Sequence, residues 1–173
     1  MADTPLIQTL IGGGLSLLGG FLSPILTDSF RNKREATNLA LAFAGEITAL
    51  IRIVETRRYS EDIQTCIAQM EKTHEPIFYT VTIRQDFVRA YEQNVSRIGL
   101  LEAPLPENIA MFYTQTQAIL EDLADIDDHP KMEKLGQEHL LRRYKNLLSL
   151  LDSTVALSQE ILIEISKIYR YNL

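Results

Sequence analysis

Residues 5–26 of the chain read PLIQTLIGGGLSLLGGFLSPIL, and no charged residue occurs from Thr4 to Thr27. As a helix this stretch would be about 33 Å long, close to the hydrocarbon thickness of a bilayer. Each glycine would cost about 1 kcal/mol in a water-exposed helix. A bilayer tolerates glycine better, because an unwound backbone would lose its hydrogen bonds there. The stretch therefore predicts a transmembrane anchor over residues 1–27.

Two other interpretations of the same stretch remain open: a cleaved signal peptide, and a helix that lies at an interface or is buried against a partner. A signal peptide is disfavoured because no basic residue precedes the stretch. The stretch is also longer than a typical signal-peptide core and lacks a convincing small-residue cleavage site. We therefore expect a spanning helix.

Basic residues follow the apolar stretch immediately, as Arg31, Lys33 and Arg34, and none precedes it. Lys and Arg beside a membrane helix favour the cytoplasmic side. We therefore expect a single-pass protein of the inner (cytoplasmic) membrane, with its N-terminus outside and its C-terminal domain in the cytoplasm.

Small residues in the stretch recur at a spacing of four, as Gly12, Ser16 and Gly20. Such a face lets two helix backbones approach closely in lipid, which indicates packing against a partner or a second copy. The alternative is chance, because glycine is frequent in membrane helices. Pro24 continues the row and predicts a kink, since its ring clashes with the carbonyl of Gly20.

The rest of the chain, residues 28–173, predicts one all-α domain of ordinary size. Apolar residues at steps of three and four indicate two long helices, over residues 28–58 and 137–169. Two or three shorter helices are predicted between them. We expect these helices to form an antiparallel cytoplasmic helical bundle.

The connections between the shorter helices are marked by proline, glycine and polar residues. Residues 74–80 predict an apolar loop that leads into a helix over residues 82–98, which stops at Gly99. Residues 125–136 are the most polar stretch and predict an exposed loop.

Two residues interrupt the apolar stripe of the helix over residues 28–58. Gly45 could mark a close crossing with another helix. Glu46 is expected to face water beside Arg52.

Charge and cysteine content exclude several classes of function. The formal net charge of -6 argues against a nucleic-acid surface, which needs a basic stripe to displace counterions. Cys66 is the only cysteine, so the chain forms no internal disulfide and fits a reducing compartment.

The polar residues form no convincing catalytic or metal site. Glu71 and His74 match half of a di-iron motif whose second copy is missing. Cys66 and His74 lack the third group and the oxyanion-hole context of a nucleophilic site. A third set of polar residues could bind a divalent cation in a loop, but its spacing is not that of an EF-hand. This set is Asp125, Asp127, Asp128 and His129. We expect no metal, no cofactor and no enzymatic activity.

Aromatic residues concentrate in the middle of the chain. The simpler interpretation places them in the core, with the hydroxyl groups at its edge. The alternative is a surface that docks a partner protein or a lipid-soluble cofactor. The candidate docking residues are Phe78, Tyr79, Tyr91, Phe112 and Tyr113.

A pattern in the same region carries a resemblance to a known group of proteins. It begins with Tyr91-Glu92, continues through Asn94, Ile98-Gly99-Leu100-Leu101, Pro104, Pro106 and Ile109, and ends with Phe112-Tyr113. About 25 residues and the overall layout resemble uncharacterised bacterial proteins with one N-terminal membrane helix and a helical cytoplasmic domain. The resemblance implies this architecture and no activity, substrate or site.

These observations favour a non-enzymatic, membrane-anchored protein that works by association with lipid and with protein. It would be a scaffold, an accessory subunit of a membrane complex or a homo-oligomer. One alternative is a small channel or pore-forming effector that its cytoplasmic helices gate. Another is a signalling module that binds a ligand among its helices.

Overall fold

The computed structural model describes the backbone of residues 4–80 and 88–170, and the side chains of residues 28–80, 88–130 and 132–170. Within these ranges every regular element is a helix, so the predicted all-α class with a long apolar N-terminal helix is confirmed. Residues Val95–Leu100 form a 3-10 helix. The α-helices are α1 (Thr4–Thr56), α2 (Tyr59–Thr73), α3 (Arg89–Asn94), α4 (Leu105–Asp127), α5 (His129–Leu135) and α6 (Gln137–Tyr169).

The chain divides into two compact units, Met1–Asn38 and Leu39–Leu173. The division falls within α1, later than the boundary predicted after residue 27. In the first unit, the predicted packing face of Gly12, Ser16 and Gly20 and the predicted kink at Pro24 lie outside the residues whose side chains are described.

The basic flank of the apolar stretch belongs to the first unit and is exposed. Arg31, Lys33 and Arg34 all face solvent. Arg31 lies close to Glu35, with 3.7 Å between Nε and Oε1. Phe30 is 72% exposed beside these cations.

Among the described side chains, one stretch of helix, Asp28–Thr56, is long and apolar enough to cross a membrane. The core helix of a soluble protein and a signal sequence meet the same criteria of length and composition. Leu39, Phe43 and Ile47 of this stretch are buried, and they form part of the core of the second unit. The predicted span over residues 5–26 lies outside the residues to which this criterion applies.

An extensive contact in the second unit joins α4 and α6. The hydroxyl of Thr154 donates to Gln115 Oε1 at 3.0 Å, and Arg143 Nη1 donates to Asp122 Oδ1 at 2.9 Å. Position numbers rise along one helix as they fall along the other, so α4 and α6 run antiparallel. The helix predicted over residues 137–169 is confirmed with the same bounds.

Two clusters of buried residues make up the core of the second unit, and α6 contributes to both. The first combines α1 and α4 with the C-terminal half of α6, through residues such as Phe43, Phe112 and Ile161. The second combines α2, the C-terminal part of α4 and α5 with the N-terminal half of α6, through residues such as Met70, Met132 and Tyr144.

One local prediction is confirmed and two are corrected. The stretch 74–80 is irregular, as predicted. The stretch 125–136 is not a loop: α4 continues to Asp127 and α5 follows, because Met132 is buried in the second cluster and holds this segment as a helix. In place of one helix over 82–98, α3 is followed by the 3-10 helix, which runs past Gly99. Residues 81–87 lie outside the described part.

Gly45 does not mark a helix crossing. The residue is exposed, and a Cβ atom built on it would meet no described atom within 4 Å. A close crossing would bring backbone or side-chain atoms into that space, so this prediction is wrong.

Candidate functional site

The carboxylate of Glu46 joins three elements of the second unit. Its Oε1 accepts a hydrogen bond from the backbone N–H of Ala90 at 2.7 Å. Its Oε2 accepts one from the N–H of Tyr91 at 3.2 Å and one from the hydroxyl of Tyr113 at 2.5 Å. The two N–H groups belong to the first turn of α3, where donors have no partner within the helix. Glu46 therefore caps α3 from α1.

The prediction that Glu46 faces water beside Arg52 is wrong. The side chain is half-buried, and donors from α3 and α4 engage both of its oxygens. Burial and the hydrogen bond to Glu46 raise the pKa of the Tyr113 hydroxyl above its ordinary value. The hydroxyl therefore keeps its proton and acts as the donor.

Aromatic rings pack around Tyr113, whose hydroxyl donates to this carboxylate. The rings of Tyr91 and Tyr113 stack with centroids 4.2 Å apart, and Phe43 lies 6.2 Å from Tyr113 and 6.4 Å from Tyr91. Phe112 meets Tyr113 edge to face at 5.2 Å. These rings fill the space between α1, α3 and α4, an arrangement that stabilises a core.

A docking role is wrong for Phe112 and Tyr113. They are only 1% and 4% exposed, because their rings pack into the first core cluster. Tyr91 is half-buried against the same cluster. A docking role for Tyr91 stays a prediction.

The other two candidate docking residues, Phe78 and Tyr79, lie in the irregular segment after α2. The hydroxyl of Tyr144 on α6 accepts a hydrogen bond from the Tyr79 N–H at 2.8 Å and donates to the Ile77 carbonyl at 3.1 Å. The Tyr79 hydroxyl donates to Asp62 Oδ2 at 3.0 Å. These bonds fasten the segment to α6 and α2. A docking role for the half-buried faces of Phe78 and Tyr79 stays a prediction.

Tyr144 makes the free energy of unfolding depend on pH in the alkaline range. Burial raises the pKa of Tyr144 to about 12, whereas an unfolded tyrosine titrates near about 10. The difference between the two pKa values stabilises the folded state. This stabilisation is complete at pH values below the pKa of the unfolded chain, and it is lost as the pH rises towards the pKa of Tyr144 in the folded protein. We expect Tyr144→Phe to show a shallower loss of unfolding free energy across this window than the wild type. Urea unfolding at a series of pH values measures it, and parallel profiles would contradict the assignment.

Members of the polar groupings noted in the sequence are engaged within the protein, and His129 Nε2 lies 3.8 Å from Asp127 Oδ1. Glu71 forms an ion pair with Lys145, with 2.7 Å between Oε1 and Nζ. His74 is exposed at the C-terminal end of α2 in a left-handed conformation. Asp125 Oδ2 accepts a hydrogen bond from Arg143 Nη2 at 3.1 Å. Among the side chains that the structure describes, no three His, Cys, Asp or Glu residues form a group that could hold a metal ion.

Cys66 is buried on α2 within the second core cluster. Burial and the nearby Asp62 raise the pKa of its thiol. A reactive cysteine needs the opposite shift, because the thiolate is the nucleophile.

This environment predicts a slow thiol reaction. In the native protein at neutral pH, we expect iodoacetamide to modify Cys66 at least about tenfold more slowly than in urea-unfolded protein, because the native thiol is shielded and protonated. Mass spectrometry of timed samples measures both rates. Equal rates would show that folding neither shields the Cys66 thiol nor keeps it more protonated than in the unfolded chain.

A cavity of about 100 Å³ lies among the helices of the second unit, and we call it the apolar cleft. The C-terminal part of α1, together with α4 and α6, provides most of its lining, and Tyr59, Ile63 and Tyr79 also line it. Half-buried residues such as Leu50, Leu120 and Leu123 border it, so it lies beneath partly accessible side chains. The sequence offered no signal for this cleft, because each of its walls reads as an ordinary amphipathic helix.

The polar groups that line the cleft are engaged within the protein. The hydroxyl of Thr116 donates to the Phe112 carbonyl at 2.8 Å. The hydroxyl of Thr154 donates to Gln115 Oε1 and lies 2.7 Å from the Leu150 carbonyl. Among the described residues that line the cleft, Arg57 alone carries a formal charge. The interior thus offers a hydrocarbon environment with one cation at its edge.

No protein-family model matches the chain, and neither a curated protein nor a solved structure matches it. The resemblance to bacterial membrane-anchored helical proteins therefore stays a prediction.

Proposed function

We propose that this chain is a non-enzymatic, membrane-anchored protein that works by association. Residues 5–26 span the inner membrane with the N-terminus outside, and the helices of the second unit form an antiparallel bundle on the cytoplasmic side. The bundle acts there as a scaffold, an accessory subunit of a membrane complex or one subunit of a homo-oligomer.

The observation that carries this proposal is the composition of α1. This helix contains the uncharged stretch over residues 5–26, followed by an exposed flank with Phe30 and three cations. Its C-terminal part contributes buried residues to the core of the second unit. An uncharged stretch of bilayer length followed by exposed aromatic and basic residues is the pattern of a spanning helix at its cytoplasmic end.

Membrane insertion is tested with a charge placed in the middle of the stretch. Leu17→Lys is expected to move the protein from the carbonate-resistant membrane fraction towards the soluble fraction, because a charge at the centre of a span costs about 3 kcal/mol. Asn32→Lys adds the same charge in the exposed flank and should leave the fractionation unchanged. Release of the wild type by carbonate would contradict the anchor.

Orientation is tested with a membrane-impermeant maleimide on intact cells. In a Cys66→Ser background, the cysteine of an Ala2→Cys variant should be labelled from outside. The cysteine of a Glu160→Cys variant, at an exposed position of α6, should not be labelled. The reverse pattern would contradict the proposed topology.

Association is tested on protein extracted gently from its native membrane. A homogeneous multiple of 19.7 kDa in mass photometry supports a homo-oligomer, and co-migration with other polypeptides supports an accessory subunit. If the protein is a homo-oligomer, Gly12→Leu or Gly20→Leu should weaken it by blocking close approach of the helices. Gly13→Leu is the matched control because it lies off that face. A lone monomer without companions would contradict the proposal.

A further inference from the structure

We propose that the apolar cleft binds a free single-chain alkyl carboxylate, with the chain between α1, α4 and α6 and the carboxylate on Arg57. The cleft lies wholly within the unit Leu39–Leu173. The inference therefore stands apart from the proposed membrane anchor.

The interior of the cleft selects hydrocarbon. Its walls are built mainly from Leu, Ile and Val side chains, such as Ile51, Val54 and Leu147. The threonine hydroxyls in the walls already donate to acceptors of the protein. A polar ligand group placed there would lose its hydrogen bonds to water without finding new ones, which is unfavourable. An alkyl chain incurs no such loss.

The edge of the cleft selects an anion. The guanidinium of Arg57 is exposed and donates one hydrogen bond, to the Tyr59 hydroxyl at 3.0 Å. No ion pair joins Arg57 to a carboxylate within the described part of the chain, whereas its neighbour Arg58 pairs with Glu61 at 3.7 Å. A guanidinium with unused donors binds a carboxylate through two parallel hydrogen bonds. Arg57 can therefore hold the head group while the chain enters the cleft.

The size of the cleft restricts the ligand to one chain. Its volume is about 100 Å³, about two thirds of the cavity of about 150 Å³ that admits the six carbon atoms of benzene, so it admits a chain of about four carbon atoms beyond the carboxylate. A two-chain lipid or a fused ring system would need the core helices to separate. One flexible chain needs only the half-buried leucines at the border to change rotamer, which is the smallest disturbance of the packing.

The test uses the full chain in an unfractionated cell lysate, so it does not depend on the membrane anchor, and two photoreactive probes. One probe is pentanoate carrying a diazirine on its chain, and the other is the matching pentanol. After irradiation, mass spectrometry maps the labelled peptides. We expect the carboxylate probe to label residues 50–59, 112–123 and 147–155, and unlabelled pentanoate to compete for these sites.

Variants separate the contributions of the head group and the chain. Arg57→Gln should lower labelling by the carboxylate probe about tenfold and leave labelling by the pentanol probe unchanged, because only the charged head loses its partner. Arg52→Gln, an exposed arginine of α1 that does not line the cleft, is the matched control and should change neither. Leu120→Trp should fill the cleft and lower labelling by both probes, with helicity checked by circular dichroism.

Three results would overturn the proposal. The first is labelling confined to residues 5–26, which would reflect probe dissolved in the bilayer. The second is equal labelling of the wild type and Arg57→Gln by the carboxylate probe. The third is competition by vesicles of a two-chain anionic lipid but not by free pentanoate.

Discussion

Phe43→Ala is expected to lower the free energy of unfolding by about 3–5 kcal/mol, the range measured when a buried phenylalanine is truncated. Phe43 is 0% exposed and lies at the centre of the first core cluster, where it contacts the rings of Tyr91 and Tyr113. Removing its ring loses apolar burial and leaves a cavity that rigid helices close only in part. Urea unfolding, monitored by circular dichroism in one membrane mimetic for all variants, measures the loss.

Phe30→Ala is the matched control for Phe43→Ala, because it truncates the same side chain on the same helix at a position that is 72% exposed. We expect its effect to stay within about 0.5 kcal/mol, as for other surface substitutions. Similar losses for both variants would show that α1 does not bury the face described for the first cluster.

Glu46→Ala is expected to destabilise the protein by about 2–3 kcal/mol. The substitution removes the acceptor of three hydrogen bonds and leaves the N–H groups of Ala90 and Tyr91 and the hydroxyl of Tyr113 unsatisfied. Each buried donor left without a partner costs about 1–3 kcal/mol, and we use the lower values because water reaches this half-buried site. The same unfolding measurement applies.

A double-mutant cycle isolates the interaction between Glu46 and Tyr113. If the two groups are coupled, Glu46→Ala and Tyr113→Phe together should cost less than the sum of the single losses, by about 1 kcal/mol. Glu55→Ala removes an exposed carboxylate from the same helix and should have little effect. Strict additivity would show that the Tyr113 hydroxyl does not use Glu46 as its acceptor.

Helix type and the bounds of α6 could be predicted from the sequence because they depend on local periodicity. In α6, apolar residues at regular spacing from Leu140 to Ile165 mark one face, and Gly136 precedes its first residue. Such a pattern needs no knowledge of the partner helix. The same reasoning placed the irregular segment after α2, since Pro76 disrupts helical hydrogen bonding.

Contacts between distant residues could not be predicted in the same way. Glu46 interrupts an apolar stripe, and its burial depends on donors 44 to 67 positions later in the chain. The polar stretch 125–136 reads as a loop, yet one buried residue, Met132, holds it as a helix against the core. The apolar cleft is harder still, because it is a gap between helices and no single helix encodes it.

The distribution of the core along the chain sets when the protein can fold during its synthesis. The second cluster needs Leu140, Tyr144 and Leu147, and the first needs Ile161 and Ile165, all from α6. Earlier helices therefore leave the ribosome with their apolar faces uncovered, and both clusters close only after α6 has emerged. A nascent chain with exposed apolar helices is prone to aggregate. We therefore expect a chain that lacks α6 to expose these apolar faces and to aggregate.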